Sequence, residues 1–222
     1  MLTTRPTALR ALLLLLPLLA TGCRGTRALV DPVVQVRTES GTELGVTTDY
    51  GVVFLGRTAR TGPVEITAWF GDGPSVESST IEPISEEICT AEVEIDLPSV
   101  PLLFVDPGPG EFVAVQGRTE AGSWREVTTI ASDPRVYGLI IEMPEALRGR
   151  DDQVGAAVFR YIDDNRERLQ LYGLVSGRLL IETPEGPREY ATVVGPEQLW
   201  ELVTLRRHYP RRKPQVYRDD VL

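Results

Sequence analysis

The chain has 222 residues with 23 Lys plus Arg, 32 Asp plus Glu, one His and two Cys. The formal charge of -9 argues against a dedicated nucleic-acid binder, which needs a basic face. The single histidine, His208, excludes a multi-His zinc site, and the single lysine, Lys213, leaves little scope for Schiff-base chemistry. Apolar residues make up 42% of the chain, which is enough for a packed core in one domain or two small lobes.

The first 22 residues are typical of an export signal. Two arginines precede an apolar run over 11–20, which is too short to span a bilayer as a helix. The run ends in Ala-Thr-Gly-Cys at 20–23, which resembles the lipobox of bacterial lipoproteins. We therefore predict a signal peptide over 1–22 and a tether over 23–42 that carries a lipid on Cys23. The alternative is an ordinary secretory signal in which Cys23 is incidental.

A lipid on Cys23 would hold the protein on a membrane of the cell envelope, outside the cytoplasm. Arg24 follows the cysteine instead of aspartate, which favours the outer membrane over the inner membrane in the sorting rule of enteric bacteria. Lipidation would also leave Cys89 without a disulfide partner. We expect Cys89 to be a small, buried, apolar side chain.

The body of the chain, 43–207, has the pattern of an all-β fold. Short runs rich in β-branched and aromatic residues alternate with Gly, Pro, Asp and Ser. No alternation of strands with helices appears, which argues against a parallel α/β sheet. Strands are predicted at 44–48, 51–58, 63–70, 75–84, 88–96, 101–105, 111–119, 124–131, 136–143, 153–162, 168–175, 177–183 and 188–194.

One helix is predicted after the strands, over 196–207. Pro and Glu occupy its first turn and Arg its last turn, which suits the helix dipole and the free backbone groups. We expect its apolar stripe of Leu199, Leu202 and Val203 to pack in the core. The remaining residues, 208–222, form a basic tail that opposes the acidic body.

Three short motifs occur in order in the second half of the chain. They are Asp-Gln-Val-Gly-Ala-Ala-Val-Phe at 152–159, Gly-Leu-Val-Ser-Gly at 173–177, and Tyr-Ala-Thr-Val at 190–193 followed by Trp200. In order and spacing they resemble the trypsin-like serine proteases, whose nucleophile lies in Gly-Asp-Ser-Gly-Gly-Pro-Val. The resemblance covers 111–203 and implies a trypsin-like double β-barrel with lobes over about 43–110 and 111–195 and a C-terminal helix. The alternative fold is another β-sandwich or barrel.

The same resemblance implies a catalytically degenerate site. Val154 occupies the place of the nucleophilic serine, and Gln153 that of the preceding aspartate. A valine side chain cannot form an acyl-enzyme, and residues 1–207 contain no histidine to serve as the base. Asp96 corresponds best to the orienting aspartate of the triad, but without a histidine it orients no base.

No other chemistry is indicated by a motif. Adjacent carboxylates such as Glu86-Glu87 and Asp151-Asp152 would face opposite sides of a strand, so they do not make an acid–base dyad. Glycine motifs for phosphate or dinucleotide binding are absent, and we predict no cofactor and no metal. The sequence favours a non-catalytic binding or scaffolding module at the membrane surface, with a peptide or an envelope protein as partner. The alternatives are an envelope hydrolase with an unusual carboxylate site and a purely structural lipoprotein.

Overall fold

The computed structural model describes residues 31–70, 73–93, 99–103, 105, 108–132, 138–161 and 168–208, the side chains of Phe70 and 205–208 excepted. These ranges contain twelve strands, two 3-10 turns and one helix, as the sequence pattern of an all-β body followed by a helix predicts. The helix of these ranges lacks the length and apolar character needed to cross a membrane.

The strands follow one another along the chain, and two 3-10 turns lie between β9 and β10. They are β1 (Val33–Thr38), β2 (Gly41–Thr48), β3 (Gly51–Phe54), β4 (Gly62–Phe70), β5 (Gly73–Pro83), β6 (Cys89–Ala91), β7 (Phe112–Thr119), β8 (Gly122–Thr129), β9 (Leu139–Glu142), β10 (Ala157–Tyr161), β11 (Leu169–Thr183) and β12 (Gly186–Val194). The 3-10 turns span Glu145–Leu147 and Asp151–Gln153, and the helix α1 spans Pro196–His208.

The first six strands form a closed antiparallel barrel, ordered β1-β2-β3-β6-β5-β4. Strand side chains alternate between two faces, and in β1 and β3 both faces are covered. Val34 and Phe54 point into the barrel, whereas Val33 and Val53 belong to a second core shared with the rest of the chain. This double burial explains why β3 is almost uniformly apolar.

The last six strands form a second sheet in the order β8-β7-β10-β11-β12-β9. An isolated bridge between Ile130 and Ile141 brings its two edge strands together. One continuous core contains the buried face of this sheet, the outer face of β1 to β3 and the helix. The two lobes therefore pack through one shared apolar core.

The helix α1 covers one side of the second sheet. Leu199, Leu202 and Val203 are buried in the shared core, as the predicted stripe requires. Trp200 lies at the edge of this stripe and is partly exposed. Cys89 is also buried as expected, and burial raises the pKa of its thiol.

Several predicted boundaries differ from the structure. The predicted tether reaches 42, but Val33–Thr38 forms β1 and pairs with both β2 and β4. A strand was predicted at 101–105, yet among the described residues this segment makes only an isolated bridge, from Leu102 to Leu171. The strand predicted from 153 begins at Ala157, because the residues before it are in a 3-10 turn and a tight bend. β11 runs through both 168–175 and 177–183 with an irregularity between Val175 and Gly177.

Candidate functional site

The segment Asp151–Gly155, here called the 151–155 turn, lies where the two lobes meet. Its backbone closes on itself through bonds from the Val154 N–H to the Asp151 carbonyl, 3.3 Å, and from the Ala156 N–H to the Gln153 carbonyl, 3.0 Å. The Gly155 N–H donates to the Val175 carbonyl of β11 at 2.8 Å, which ties the turn to the second sheet.

Gly155 brings the turn against the barrel. Its φ is +99°, a conformation that residues with a Cβ rarely adopt. A Cβ built on it would lie only 2.9 Å from the carbonyl oxygen of Leu44 in β2. Glycine is therefore required both by the backbone conformation and by the contact between the lobes.

Val154 has neither a reactive group nor an open backbone donor. Its side chain is 6% exposed and belongs to the shared core. Its N–H donates to the Asp151 carbonyl within the turn. The residue lies on a turn between the lobes and not in the middle of a strand.

Gln153 is buried, and its amide is well bonded. The indole N–H of Trp124 donates to Gln153 Oε1 at 2.7 Å. Gln153 Nε2 donates to the Arg118 carbonyl at 3.1 Å and to Asp152 Oδ2 at 2.9 Å. A neutral amide can both accept and donate in this way, whereas a carboxylate only accepts. Gln153, where the resemblance implies an aspartate, therefore holds the turn against β7 and β8 by hydrogen bonds.

The two carboxylates of the turn are held by arginines. Asp152 accepts from Arg150 Nη2 at 2.7 Å and from Arg150 Nε at 3.2 Å, and the hydrogen bonds from Arg150 lower the pKa of Asp152. Asp151 pairs with Arg178 of β11 at 2.9 Å, and Arg178 also lies 3.7 Å from Glu189. The adjacent carboxylates therefore act as separate ion-pair partners.

A second polar cluster joins the start of the barrel to the second sheet. Arg118 donates to Asp31 Oδ2 at 2.7 Å, and Gln116 Nε2 donates to Asp31 Oδ1 at 2.8 Å. Ser123 also donates to Asp31, and the Arg118 guanidinium stacks 3.6 Å above the ring of Trp69. The groove between the lobes, about 300 Å³, is lined by Gln35, Thr42, Trp69, Arg118, Glu120 and Asp152 among others.

Glu43 is a buried carboxylate that no sequence motif indicates. It accepts hydrogen bonds from the backbone N–H of Arg57, the N–H of Thr58 and the Thr58 hydroxyl, at 3.2, 3.1 and 2.9 Å. These bonds compensate for its burial and hold the loop after β3. Its only sign in the sequence is a charged residue inside an otherwise uncharged strand.

The edge of β11 is open where β11 continues past Ala157, the first residue of β10. The pairing of β10 with β11 ends at Leu174, whereas β11 continues to Thr183 and pairs with β12 on its other side. Arg178–Glu189, here called the β11–β12 ribbon, projects beyond the neighbouring strands. No strand of the described part of the chain pairs with the outer edge of the ribbon's first half.

The register of the ribbon shows which backbone groups face outward. A two-residue turn joins Thr183 to Gly186, so these two form a hydrogen-bonded pair, and alternate residues face β12. Arg178, Leu180 and Glu182 therefore direct their N–H and C=O groups to the outer edge. On β12, Pro187 has no N–H to offer. The ribbon can thus accept another strand along β11 more readily than along β12.

The side chains of three other residues that the sequence analysis names are not described by the structure. Cys23, the predicted lipidation site, and Asp96, the predicted remnant of a triad, lie outside the described residues. His208 is the last residue of α1, and its side chain is likewise not described. Within the described ranges, no group of three or more His, Cys, Asp or Glu side chains is arranged to hold a metal ion.

The fold is that of the trypsin-like serine proteases, which confirms the predicted fold class. The human pathogenic astrovirus serine protease is 15% identical over 75% of this chain and 91% of its own, with a TM-score of 0.50. Kallikrein-related peptidase 10 in complex with Zn²⁺ is 14% identical over 81% and 95%, with a TM-score of 0.52. The MamO protease domain from Magnetospirillum magneticum is 13% identical over 78% and 96%, with a TM-score of 0.52. Neither a protein-family model nor a curated protein matches the chain. Similarity at this level of identity establishes the fold alone.

Replacing Gly155 by alanine tests the contact between the turn and the barrel. Gly62 is the matched control, because its φ is +100° and nothing lies within 4 Å of an added Cβ. Gly62→Ala should lower the free energy of unfolding by about 1–2 kcal/mol through backbone strain alone. Gly155→Ala should cost roughly 1–3 kcal/mol more, because Leu44 must also shift. Urea denaturation measures both variants, and equal losses would contradict the close approach.

Proposed function

We propose that this protein is a lipid-anchored cell-envelope protein whose trypsin-like body binds an extended partner segment and does not cleave peptides. The observation that carries the proposal is the 151–155 turn, in which the residue at the nucleophile position is a buried valine. The signal-like 1–22 and the cysteine at 23 support the anchor.

Acyl transfer on this fold would need a nucleophile, a base and donors for the oxyanion. Val154 supplies no nucleophile, and the one histidine in the sequence comes after the twelve described strands. The Val154 N–H donates to Asp151, so the backbone of the turn does not present that donor to a substrate. The nucleophile, the base and the oxyanion donor that acyl transfer needs are thus each opposed by one observation.

A carboxylate-based hydrolase is supported less well. A general acid needs a carboxyl group that keeps its proton near neutral pH. In the turn, the hydrogen bonds from Arg150 lower the pKa of Asp152, which favours the ionised form, and Asp151 is paired with Arg178. These contacts favour a structural role for both carboxylates.

Partner binding is supported by the open edge of β11. The register directs the N–H and C=O groups of Arg178, Leu180 and Glu182 outward, where they can pair with an added strand. The edge begins at Ser176, directly beside the 151–155 turn, because Val175 exchanges backbone bonds with Gly155 and Ala156. A peptide that binds along β11 would therefore lie against the groove between the lobes.

The absence of acyl chemistry is tested by a serine-directed fluorophosphonate probe. We expect no covalent labelling of the purified chain and none of a Val154→Ser variant, because residues 1–207 contain no histidine to act as the base. Trypsin serves as the positive control, and labelled protein is detected by intact mass. Labelling that disappears when one serine is replaced would contradict the non-catalytic assignment.

Strand addition is tested by selecting displayed peptides on the wild-type chain and measuring their affinity for two variants. Leu180→Pro removes an outward N–H without breaking the pairing with β12 and should weaken binding roughly tenfold. Leu180→Ala removes the side chain but keeps that N–H, so it controls for side-chain loss. Peptides that bind Leu180→Pro as tightly as the wild type would place the binding site elsewhere.

The anchor is tested by expressing the full chain in a bacterial host and separating membranes from soluble protein. We expect the wild type in the membrane fraction, with an acylated Cys23 in its mass spectrum. Cys23→Ser should be released into the soluble fraction, whereas Cys89→Ser, which removes the other cysteine, should stay membrane-bound. An unacylated wild type would refute the lipid anchor.

A further inference from the structure

The structure fixes where the N-terminal segment leaves the folded body. Asp31 is the first described residue, and Arg118, Gln116 and Ser123 all donate to its carboxylate. These partners lie at the end of β7 and the start of β8. The segment that precedes Asp31 therefore starts from one defined end of the second sheet.

The β11–β12 ribbon projects from the same end of that sheet. β10 is antiparallel to β7, with Ala157 opposite Gln116, and β11 is antiparallel to β10, with Leu174 opposite Ala157. Continuing β11 beyond Leu174 therefore extends it past the end that holds Asp31. Contacts confirm this placement, since Arg178 pairs with Asp151 and the neighbouring Gln153 bonds to the Arg118 carbonyl.

The predicted lipid would be close to this end. Seven residues separate Cys23 from Asp31. As a flexible chain they span about 15 Å, and fully extended about 28 Å. From Gly177 to the turn after Thr183, β11 extends roughly 20 Å, which is comparable to the span of these seven residues. Phe112, at the other end of β7, lies about 20 Å farther from the tether than Arg118 does.

The ribbon exposes one large apolar side chain on each face, together with Glu182 and Glu185 near its turn, and it has no basic patch. Leu180 is 64% exposed, and the adjacent Ile181 is exposed on the opposite face. The arginines of the ribbon are already paired, Arg178 with Asp151 and Glu189, and Arg188 with Glu185. Contact with a bilayer would therefore depend on apolar side chains and not on anionic lipids.

We propose that the β11–β12 ribbon lies against the lipid bilayer by the face that carries Leu180, with Leu180 at the level of the headgroups, so that the open edge of β11 is held at the membrane surface. This inference depends on the proposed anchor at Cys23. It also restricts the partner that adds to β11 to a segment close to the membrane.

The test measures probe depth in the full lipidated chain. Leu180→Cys and Phe112→Cys form a matched pair, because Phe112 is 65% exposed at the opposite end of the second sheet. Cys23 is occupied by the lipid and Cys89 is buried, so an environment-sensitive fluorophore reacts with the new cysteine. The protein is reconstituted in vesicles of zwitterionic phosphatidylcholine, with and without nitroxide-labelled lipid.

We expect a blue-shifted, quenched emission at position 180 and an unquenched emission at position 112. A flexible insertion between residues 30 and 31 should abolish the signal at position 180, because the tether would no longer hold the ribbon at the bilayer. Equal quenching at both positions, or quenching at 180 that requires anionic lipid, would overturn the inference. Mass spectrometry of the same sample separates the two proposals, since a missing lipid refutes the anchor, and a lipidated protein without quenching refutes only the ribbon contact.

Discussion

The close approach of the 151–155 turn to the barrel is the constraint on which the rest of the molecule depends. Gly155 has a positive φ and lies against the Leu44 carbonyl, so the turn can bring the second sheet directly onto β2. Val154 then becomes part of the core that both lobes share. Gln153 fastens the same turn to Trp124 and to the Arg118 carbonyl. The turn is therefore a structural link between the lobes.

Fold and activity are separate properties of a protein. A trypsin-like scaffold keeps two lobes, a groove between them and a strand edge beside the groove, even when no reactive group is present. In this chain the polar groups at the junction bond to one another, with Asp152 on Arg150, Asp151 on Arg178, and Asp31 on Arg118. Such pairs orient the turn and the ribbon, and under the proposed function the open backbone edge of β11 is the part that meets the partner.

The sequence predicts the second lobe better than the first. The motifs at 152–159 and 173–177 adjoin in space as their resemblance implies, because the Gly155 N–H bonds to Val175. Pro32 and Gly41 favour a tether over 23–42, although in the structure Pro32 directly precedes β1 and Gly41 begins β2. The strand expected over 101–105 makes one isolated bridge in its described part, from Leu102 to Leu171, because being apolar does not guarantee a neighbouring strand. The partners of Gln153 and Glu43 are distant in sequence and depend on how the lobes pack, which no local pattern encodes.

The central claim is that the backbone of the 151–155 turn is closed and buried at Val154, the position at which we propose that a nucleophile is missing. Native-state hydrogen exchange of the Val154 amide, followed by NMR, tests it most directly, because a buried and bonded N–H exchanges slowly. The structure predicts protection of this amide comparable to that of the Gly155 amide, which bonds to Val175. Exchange of the Val154 amide at the rate of an open, solvated N–H would show an available donor at this position and would contradict the account.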